Sequence, residues 1–292
     1  MTRKPRTGLL LALMGALILS PDALFMRMSA MDGFQMSGWR GICMGSAMWA
    51  VWLVTTRDRL HRLRTLYCGL GLLLIVSQVG NSLFFSLGIA HAPVAIVVMG
   101  VAATPVWAAL LSQCALGERA GRATWLTIAA VLTGMAIALF GGKGGALAVD
   151  TRLLLGGVFG LGTALALAVN FVTLRARPDL PLLPAIGTGA LIAGVLGWAV
   201  TGPSEMMTGV LWAILLTGLV VLPLSFFLLS QAARYTHAAH VSLILLLETV
   251  LSPLWVWWIL GEELAPTTLM GGAVVVSALA VFVLVQRRPS RE

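Results

Sequence analysis

Charge is what this chain lacks most. Only 10% of its 292 residues are Asp, Glu, Lys or Arg, against about 25% in a typical soluble domain. With 59% hydrophobic residues and a mean hydropathy of +0.96, a folded surface of this composition suits lipid and not water. Cysteine is scarce too. Cys43, Cys68 and Cys114 are far apart, in or beside apolar segments, so neither a CxxC metal pair nor a disulfide framework is available, and all three are read as free thiols. There is no HExxH, no GxSxG elbow and no close Cys/His set, so no enzyme activity, cofactor or metal is expected. The Gly-Gly-Lys-Gly-Gly stretch at 141–145 is not a phosphate loop, because Gly144 follows Lys143 where Ser or Thr would bind magnesium. It reads as a flexible connection. With no ATP-binding domain in the sequence, any transport is expected to run on gradients or to be facilitated.

What the chain does have is long apolar runs. About 20 apolar residues cross ~30 Å of hydrocarbon as a helix. Runs broken by charge, Gly and Pro lie near 8–28, 34–56, 66–89, 93–116, 123–141, 152–174, 182–202, 207–232, 238–260 and 267–286. Runs of this length exclude a barrel, whose strands show about ten residues of alternation. The predicted fold is an all-α membrane protein of ten transmembrane helices. Arg3, Lys4 and Arg6 ahead of the run from Leu9 to Leu19 have the layout of a signal peptide. However, Leu-Ser-Pro-Asp at 19–22 offers no small-x-small cleavage site, and apolar character resumes through Ala23, Leu24, Phe25 and Met26. An uncleaved first span is expected.

The net charge of +8 and pI of 10.7 do not imply nucleic acid, because the basic residues sit in short loops between apolar runs. Alternating spans from a cytoplasmic N-terminus place 15 of the 19 inside: Arg3, Lys4, Arg6, Arg57, Arg59, Arg62, Arg64, Arg119, Arg122, Arg175, Arg177, Arg234, Arg287, Arg288 and Arg291. Arg27, Arg40, Lys143 and Arg152 fall outside or lean outward. Both termini are therefore expected in the cytoplasm.

A weak internal similarity recurs at a spacing of 144 residues. Ala92-Pro93-Val94-Ala95 through Thr104-Pro105 to Leu116-Gly117-Glu118-Arg119 reappears as Thr236-His237-Ala238-Ala239 through Glu248-Thr249 to Leu260-Gly261-Glu262-Glu263. Asn81 maps onto Ser225. Five spans per half is an odd number, so the second copy must cross in the opposite sense. The basic 117–122 connection and the 261–266 connection, which has no basic residue, agree with that. The expected domains are residues 1–145 and 146–292, two inverted five-helix repeats, an architecture found in many secondary transporters.

The 5+5 arrangement, Leu-Gly-Glu closing a span in both halves, Glu248 in mid-span, Pro105 in the matching region and Arg40 in the second span resemble the EamA-domain branch of the drug/metabolite transporter superfamily. Within that branch the pattern is similar to the YddG-type amino-acid exporters of bacterial inner membranes. The family's mid-span Glu-Pro is split here between Glu248-Thr249 and Thr104-Pro105, so the halves have diverged. The resemblance implies export of amino acids, aromatic ones included, by alternating access through a central, mostly apolar cavity. It also implies a multi-pass protein of the bacterial inner membrane. The partners are then a small-molecule substrate and the bilayer, with no nucleic acid and a monomer or weak oligomer. The alternatives are a multidrug or other metabolite transporter of the same superfamily, or a non-transporting intramembrane enzyme or scaffold.

An ionisable side chain at the bilayer centre costs about 2.5–3.5 kcal/mol on insertion scales, so it turns inward. Glu248, among Leu245, Leu246, Leu247 and Leu251, is the clearest candidate. It reads as a substrate-amine partner or proton carrier, or else as a buried acid bonded between helices. Gln78, Asn81 and Ser82 share one helical face, with Ser225 at the equivalent depth of the other half beside Pro223. Polarity on such a face either binds a neighbouring helix or lines a wet cavity. Met99 and Asn170 are weaker additions to the substrate pathway. Asp22, after Pro21, reads either as a residue lining the pathway or, the favoured reading, as a partner of Arg27 or Arg40, and Arg40 is expected to anchor a helix end near the interface. Pro105 and Pro223, with Gly80 and Gly100, are hinge candidates, while Gly156/Gly160 and Gly189/Ala193/Gly197 read as close-packing stripes.

Overall fold

A computed structural model describes residues 5–56, 63–64, 66–67, 69–92, 94–140, 151–261 and 266–287. Outside the described residues lie Cys68, Pro93, the 141–145 connection with Lys143, the 145/146 boundary, Glu262, Glu263, and the basic residues Arg3, Lys4, Arg57, Arg59, Arg62, Arg288 and Arg291. The side chains of Arg6, Met99, Arg152 and Arg287 lie outside them as well.

All regular structure among the described residues is helical. The first part holds α1 (Pro5–Leu19), α2 (Asp22–Ser29), α3 (Gly33–Thr55), α4 (Leu70–His91), α5 (Val94–Val101), α6 (Thr104–Leu116) and α7 (Arg122–Phe140). The second holds α8 (Thr151–Ala176), α9 (Leu182–Thr201), α10 (Pro203–Met206), α11 (Leu211–Leu216), a π segment (Thr217–Val221), α12 (Leu222–Tyr235), α13 (Ala238–Leu245), α14 (Leu247–Leu260) and α15 (Pro266–Arg287). Among the described residues, six stretches are long and apolar enough to cross a membrane: Thr7–Ser29, Leu70–His91, Leu154–Ala176, Leu182–Thr201, Leu211–Tyr235 and Ala238–Leu260.

Several spans expected to be continuous are broken, and proline chemistry explains two of the breaks. Pro21 has no N–H to give the carbonyl of Leu17, four residues back, so α1 stops there. Ser20 repairs the loss, since its hydroxyl donates to the Leu17 carbonyl at 2.8 Å. The Ser20 carbonyl in turn accepts from Ser252 Oγ, and its hydroxyl from Trp255 Nε1, each at 2.9 Å. Pro105 likewise abandons the carbonyl of Val101, and the Thr104 hydroxyl donates to it at 2.5 Å. The chain therefore breaks at Ala102 and Ala103 between α5 and α6. The counterpart break at Leu246, between α13 and α14, has no adjacent proline. There the backbone tightens to three-residue bonds, Leu246 N–H to Leu243 O at 3.2 Å and Thr249 N–H to Leu246 O at 3.1 Å. Ahead of Pro223 the helix widens, with Leu222 N–H reaching back five residues to Thr217 O.

The 144-residue spacing is visible in the backbone. Val94 and Ala238 open α5 and α13, and Arg122 and Pro266 open α7 and α15. Gly117 and Gly261 end α6 and α14 in the same left-handed conformation, at φ +67° and +68°. In Leu-Gly-Glu, glycine is therefore a helix C-cap, where a side chain would be strained. Packing partners exchange under the same shift: α4 and α5 pack on α8, as α12 and α13 pack on α1, while α3 pairs with α9 and α7 with α15.

Small residues set these distances. A Cβ on Gly41 of α3 would stand 2.4 Å from Ala190 O and 2.5 Å from Gly194 N of α9. Gly100, read as a hinge, is a contact of the same kind, since a Cβ there would stand 2.7 Å from the Gly160 backbone. Pro105 sits in the first turn of α6, where a missing N–H is least costly.

The halves are tied at both ends of the bundle. At one end Gln35 Nε2 donates to the carbonyls of Glu205 (2.7 Å) and Thr208 (2.8 Å), and Trp39 Nε1 donates to Met206 O at 2.7 Å. At the other end Glu118 is bound by Arg175 and His237. Gly41→Ala, which must push α3 from α9, is expected to cost about 1–3 kcal/mol and lower the melting temperature in detergent. Gly80→Ala, with 3.5 Å to its nearest neighbour, is expected to leave it unchanged or raise it. Equal effects of the two substitutions would contradict the packing.

Candidate functional site

A cavity with about 630 Å³ of empty space, counting its mouth, lies where the broken helices meet. Its wall is mostly apolar, including Leu19, Met44, Phe85, Leu167, Phe226 and Leu229. The polar groups on it come from five places, one of them Thr163 of α8. Asp22 stands in the first turn of α2, just past the Pro21 break, and Ser37 and Arg40 lie on α3. The α4 stripe supplies Gln78, Asn81, Ser82 and Ser86, and Glu248 stands in the first turn of α14, just past the Leu246 break. Both carboxylates thus occupy helix N-termini, where the unpaired N–H groups favour negative charge.

Asp22 and Arg40 form a buried ion pair. Arg40 Nη2 donates to Asp22 Oδ2 at 2.6 Å, with 10% and 1% of the two side chains exposed. The guanidinium also meets Met26 Sδ through Nη1 and lies 5.6 Å from the centroid of the Phe85 ring, a cation–π distance. The expected pairing is found, but Arg40 lies on the cavity wall and not at a helix end near the interface. The pair leaves Asp22 Oδ1 without a hydrogen-bond partner, and Ser37 Oγ is similarly unpartnered. Glu248 is half-buried, and among the described residues no group donates a hydrogen bond to its carboxylate. Two carboxylates and one guanidinium give the wall a surplus of one acid.

Of the residues expected to line a substrate pathway, Gln78, Asn81, Ser82 and Glu248 share this cavity. Asn170 stands behind it, donating from Nδ2 to Gln78 Oε1 at 3.0 Å, while Gln78 Nε2 reaches Ser82 Oγ at 3.5 Å. Ser225 lies off the wall. Its hydroxyl donates to Leu222 O at 3.2 Å, and its backbone carbonyl faces Gly15 of α1. Sequence reasoning left Ser37, Arg40, Ser86 and Thr163 out of the pathway, and favoured an ion pair over a place in the pathway for Asp22. Ser86 had a signal, since it extends the Gln78 and Ser82 stripe by one more turn. Thr163, whose hydroxyl is returned to Phe159 O at 2.8 Å, had none. Of the remaining hinge candidates, Pro223 follows the π segment, and a Cβ on Gly80 would meet Phe84 and Ala166 at ordinary contact distances of 3.5 and 3.7 Å.

Among the described residues the wall holds no arrangement of nucleophile and base. Its chemistry is that of binding, with carboxylates and neutral amides and hydroxyls facing an apolar space. A bundle of membrane-length helices built from two corresponding halves around such a cavity is an architecture that many membrane transporters use. The chain belongs to the EamA-like transporter family, which matches it twice, over residues 6–140 and 154–284. That makes it a multi-pass transporter of the drug/metabolite superfamily. A crystal structure of a protein is similar over 96% of this chain and 98% of its own, at a TM-score of 0.76 and 18% identity, a likeness of fold.

Removing one member of a buried ion pair strands the other, at about 3–5 kcal/mol. Asp22→Asn and Arg40→Met are each expected to lower the melting temperature sharply, whereas the double variant Asp22→Asn/Arg40→Met recovers most of the loss. Additive losses in the double variant would mean that the two side chains act independently.

Proposed function

We propose that this protein exports amino acids, aromatic ones included, and similar small amphipathic metabolites, by alternating access through the cavity between its halves. The observation that supports this reading most is the wall itself, mostly apolar yet carrying a half-buried Glu248 carboxylate with no donor among the described residues. A substrate ammonium is the natural donor to that group, and a proton is its competitor. The Leu, Met and Phe surface takes up the side chain, while Gln78, Asn81 and Ser82 supply neutral hydrogen bonds. Such a lining gives broad selectivity, because one methylene in an apolar pocket separates substrates by only ~1–3 kcal/mol.

In the same reading the halves, residues 1–145 and 146–292, are inverted five-helix repeats with ten membrane crossings and both termini in the cytoplasm of a bacterial inner-membrane protein. One fold in two conformations, swapped between halves, gives inward-open and outward-open states of similar energy. The helix breaks at Ser20-Pro21, Ala102-Ala103, Thr217–Val221 and Leu246 are the bending points. A second reading, a carrier of cationic drugs, draws on the acid surplus of Asp22, Arg40 and Glu248.

The test is amino-acid flux into liposomes holding purified protein, with and without a pH gradient. Wild type is expected to carry aromatic amino acids, and Glu248→Gln to lose most of the flux and the response to the gradient. Flux of cationic drugs alone would favour the second reading. No flux of any amino acid would sink the first.

A further inference from the structure

A second cavity lies at the basic end of the bundle, lined by Leu9, Ser112, Glu118, Arg119, His237 and His240 among others. It is stacked on the central one along the same helices. On α1, Leu9 faces the second cavity and Leu19 the first, ten residues or about 15 Å apart. On α12 and α13 the sequence is the same: Thr236 and His240 border the second cavity, Leu229 and Leu245 the first. The zone between them is filled by small, fully buried side chains: Ala12 and Ala16 of α1, Ala232 and Ala233 of α12, and Val241 of α13. α1 and α12 touch there without room for a Cβ, since one on Gly15 would stand 2.8 Å from Leu229 Cγ and one on Gly8 3.0 Å from Thr236 Cβ.

One ion cluster borders this second cavity and joins the halves. The Gly117 C-cap turns Glu118 out of α6, and the carboxylate accepts Arg175 Nη2 and Nε at 2.9 and 3.2 Å. It also meets His237 Nδ1 at 2.8 Å. Arg175 lies in the last turn of α8, and His237 at the N-cap of α13, next to the helix that borders both cavities. Burial acts to raise the Glu118 pKa, but Arg175 and His237 outweigh it and hold the carboxyl below its ordinary value. Behind the cluster, Ser112 Oγ is buried on the cavity lining with no hydrogen-bond partner.

We propose that the second cavity is the vestibule of the same translocation path, and that the Glu118–Arg175–His237 cluster is the latch that keeps α13 seated and the path shut between vestibule and central cavity. The inference rests on the carrier reading given above. Opening separates α1, α12 and α13 along their alanine contacts, and that movement pulls His237 of the α13 N-cap away from Glu118, whose carboxylate Arg175 of α8 holds in place. The unpartnered Ser112 hydroxyl then faces a wet channel.

The latch is tested by labelling a single cysteine. Ser112→Cys, in a chain whose Cys43, Cys68 and Cys114 are replaced by serine, is reacted in native membranes with a membrane-impermeant maleimide supplied to both faces. Glu118→Gln and Arg175→Gln are each expected to raise the labelling rate about tenfold, the factor that corresponds to ~1.4 kcal/mol. His237→Ala, at a side chain 45% exposed, makes a milder break with little risk to folding and is expected to raise the rate less. Unchanged rates in all three overturn the latch, even if wild type carries amino acids. Raised rates in a protein that carries none leave the latch standing and remove the carrier reading instead.

Discussion

Lipid offers no hydrogen bonds, and every break in a membrane helix must be satisfied from within the protein. This constraint shapes the centre of the molecule. Pro21 and Pro105 each free a carbonyl, and each is preceded by a hydroxyl residue, Ser20 or Thr104, that donates to that carbonyl. The Ser20 carbonyl is then covered by Ser252 of α14. Broken helices are stable here only because these substitutions are made, and the breaks leave helix N-termini deep in the bundle. Asp22 and Glu248 stand at two of them, so the same defects that need repair place the acids of the cavity.

Close packing elsewhere makes the broken centre tolerable. α3 and α9 meet through glycines at distances that admit no Cβ, and α5 meets α8 in the same way at Gly100 and Gly160. These contacts are rigid, non-directional and indifferent to which way a carrier faces. Polar ties between the halves lie in the centre, from Ser252 and Trp255 to Ser20 and from Asn170 to Gln78. They also lie at the two ends of the bundle: Gln35 and Trp39 to residues 205–208 at one, and Glu118 to Arg175 and His237 at the other. Under the alternating-access reading proposed above, the ties at the two ends are the contacts to be exchanged, while the rigid small-residue contacts hold each packed helix pair together.

Much of this architecture was legible in the amino-acid sequence. Run length fixed α7 and α9 to within a residue or two, because twenty apolar residues have one stable conformation in lipid. The 144-residue spacing was legible because a glycine C-cap and a following helix start are chemically specific, and they recur at Gly117/Gly261 and Arg122/Pro266. Along α4 the i, i+3, i+4 pattern identified the polar stripe. The break at Leu246 was not legible, since no proline adjoins it. Helical spacing places Ser225 at the right depth but not at the right rotation, and its hydroxyl turns back on its own helix. Asn170 reaches the cavity only through Gln78. The contact of His237 with Glu118 joins residues 119 apart and has no local signal at all.

The most direct test of the central cavity as the seat of the substrate is protection of a cysteine on its wall. Ser82→Cys, in a chain with the three native cysteines replaced, is labelled with a small thiol reagent while candidate amino acids are added. Amino acids that the protein carries are expected to slow the labelling in proportion to their occupancy. Labelling that stays unchanged at concentrations saturating the flux would mean that substrate passes elsewhere, and would contradict the role given to Gln78, Asn81, Ser82 and Glu248.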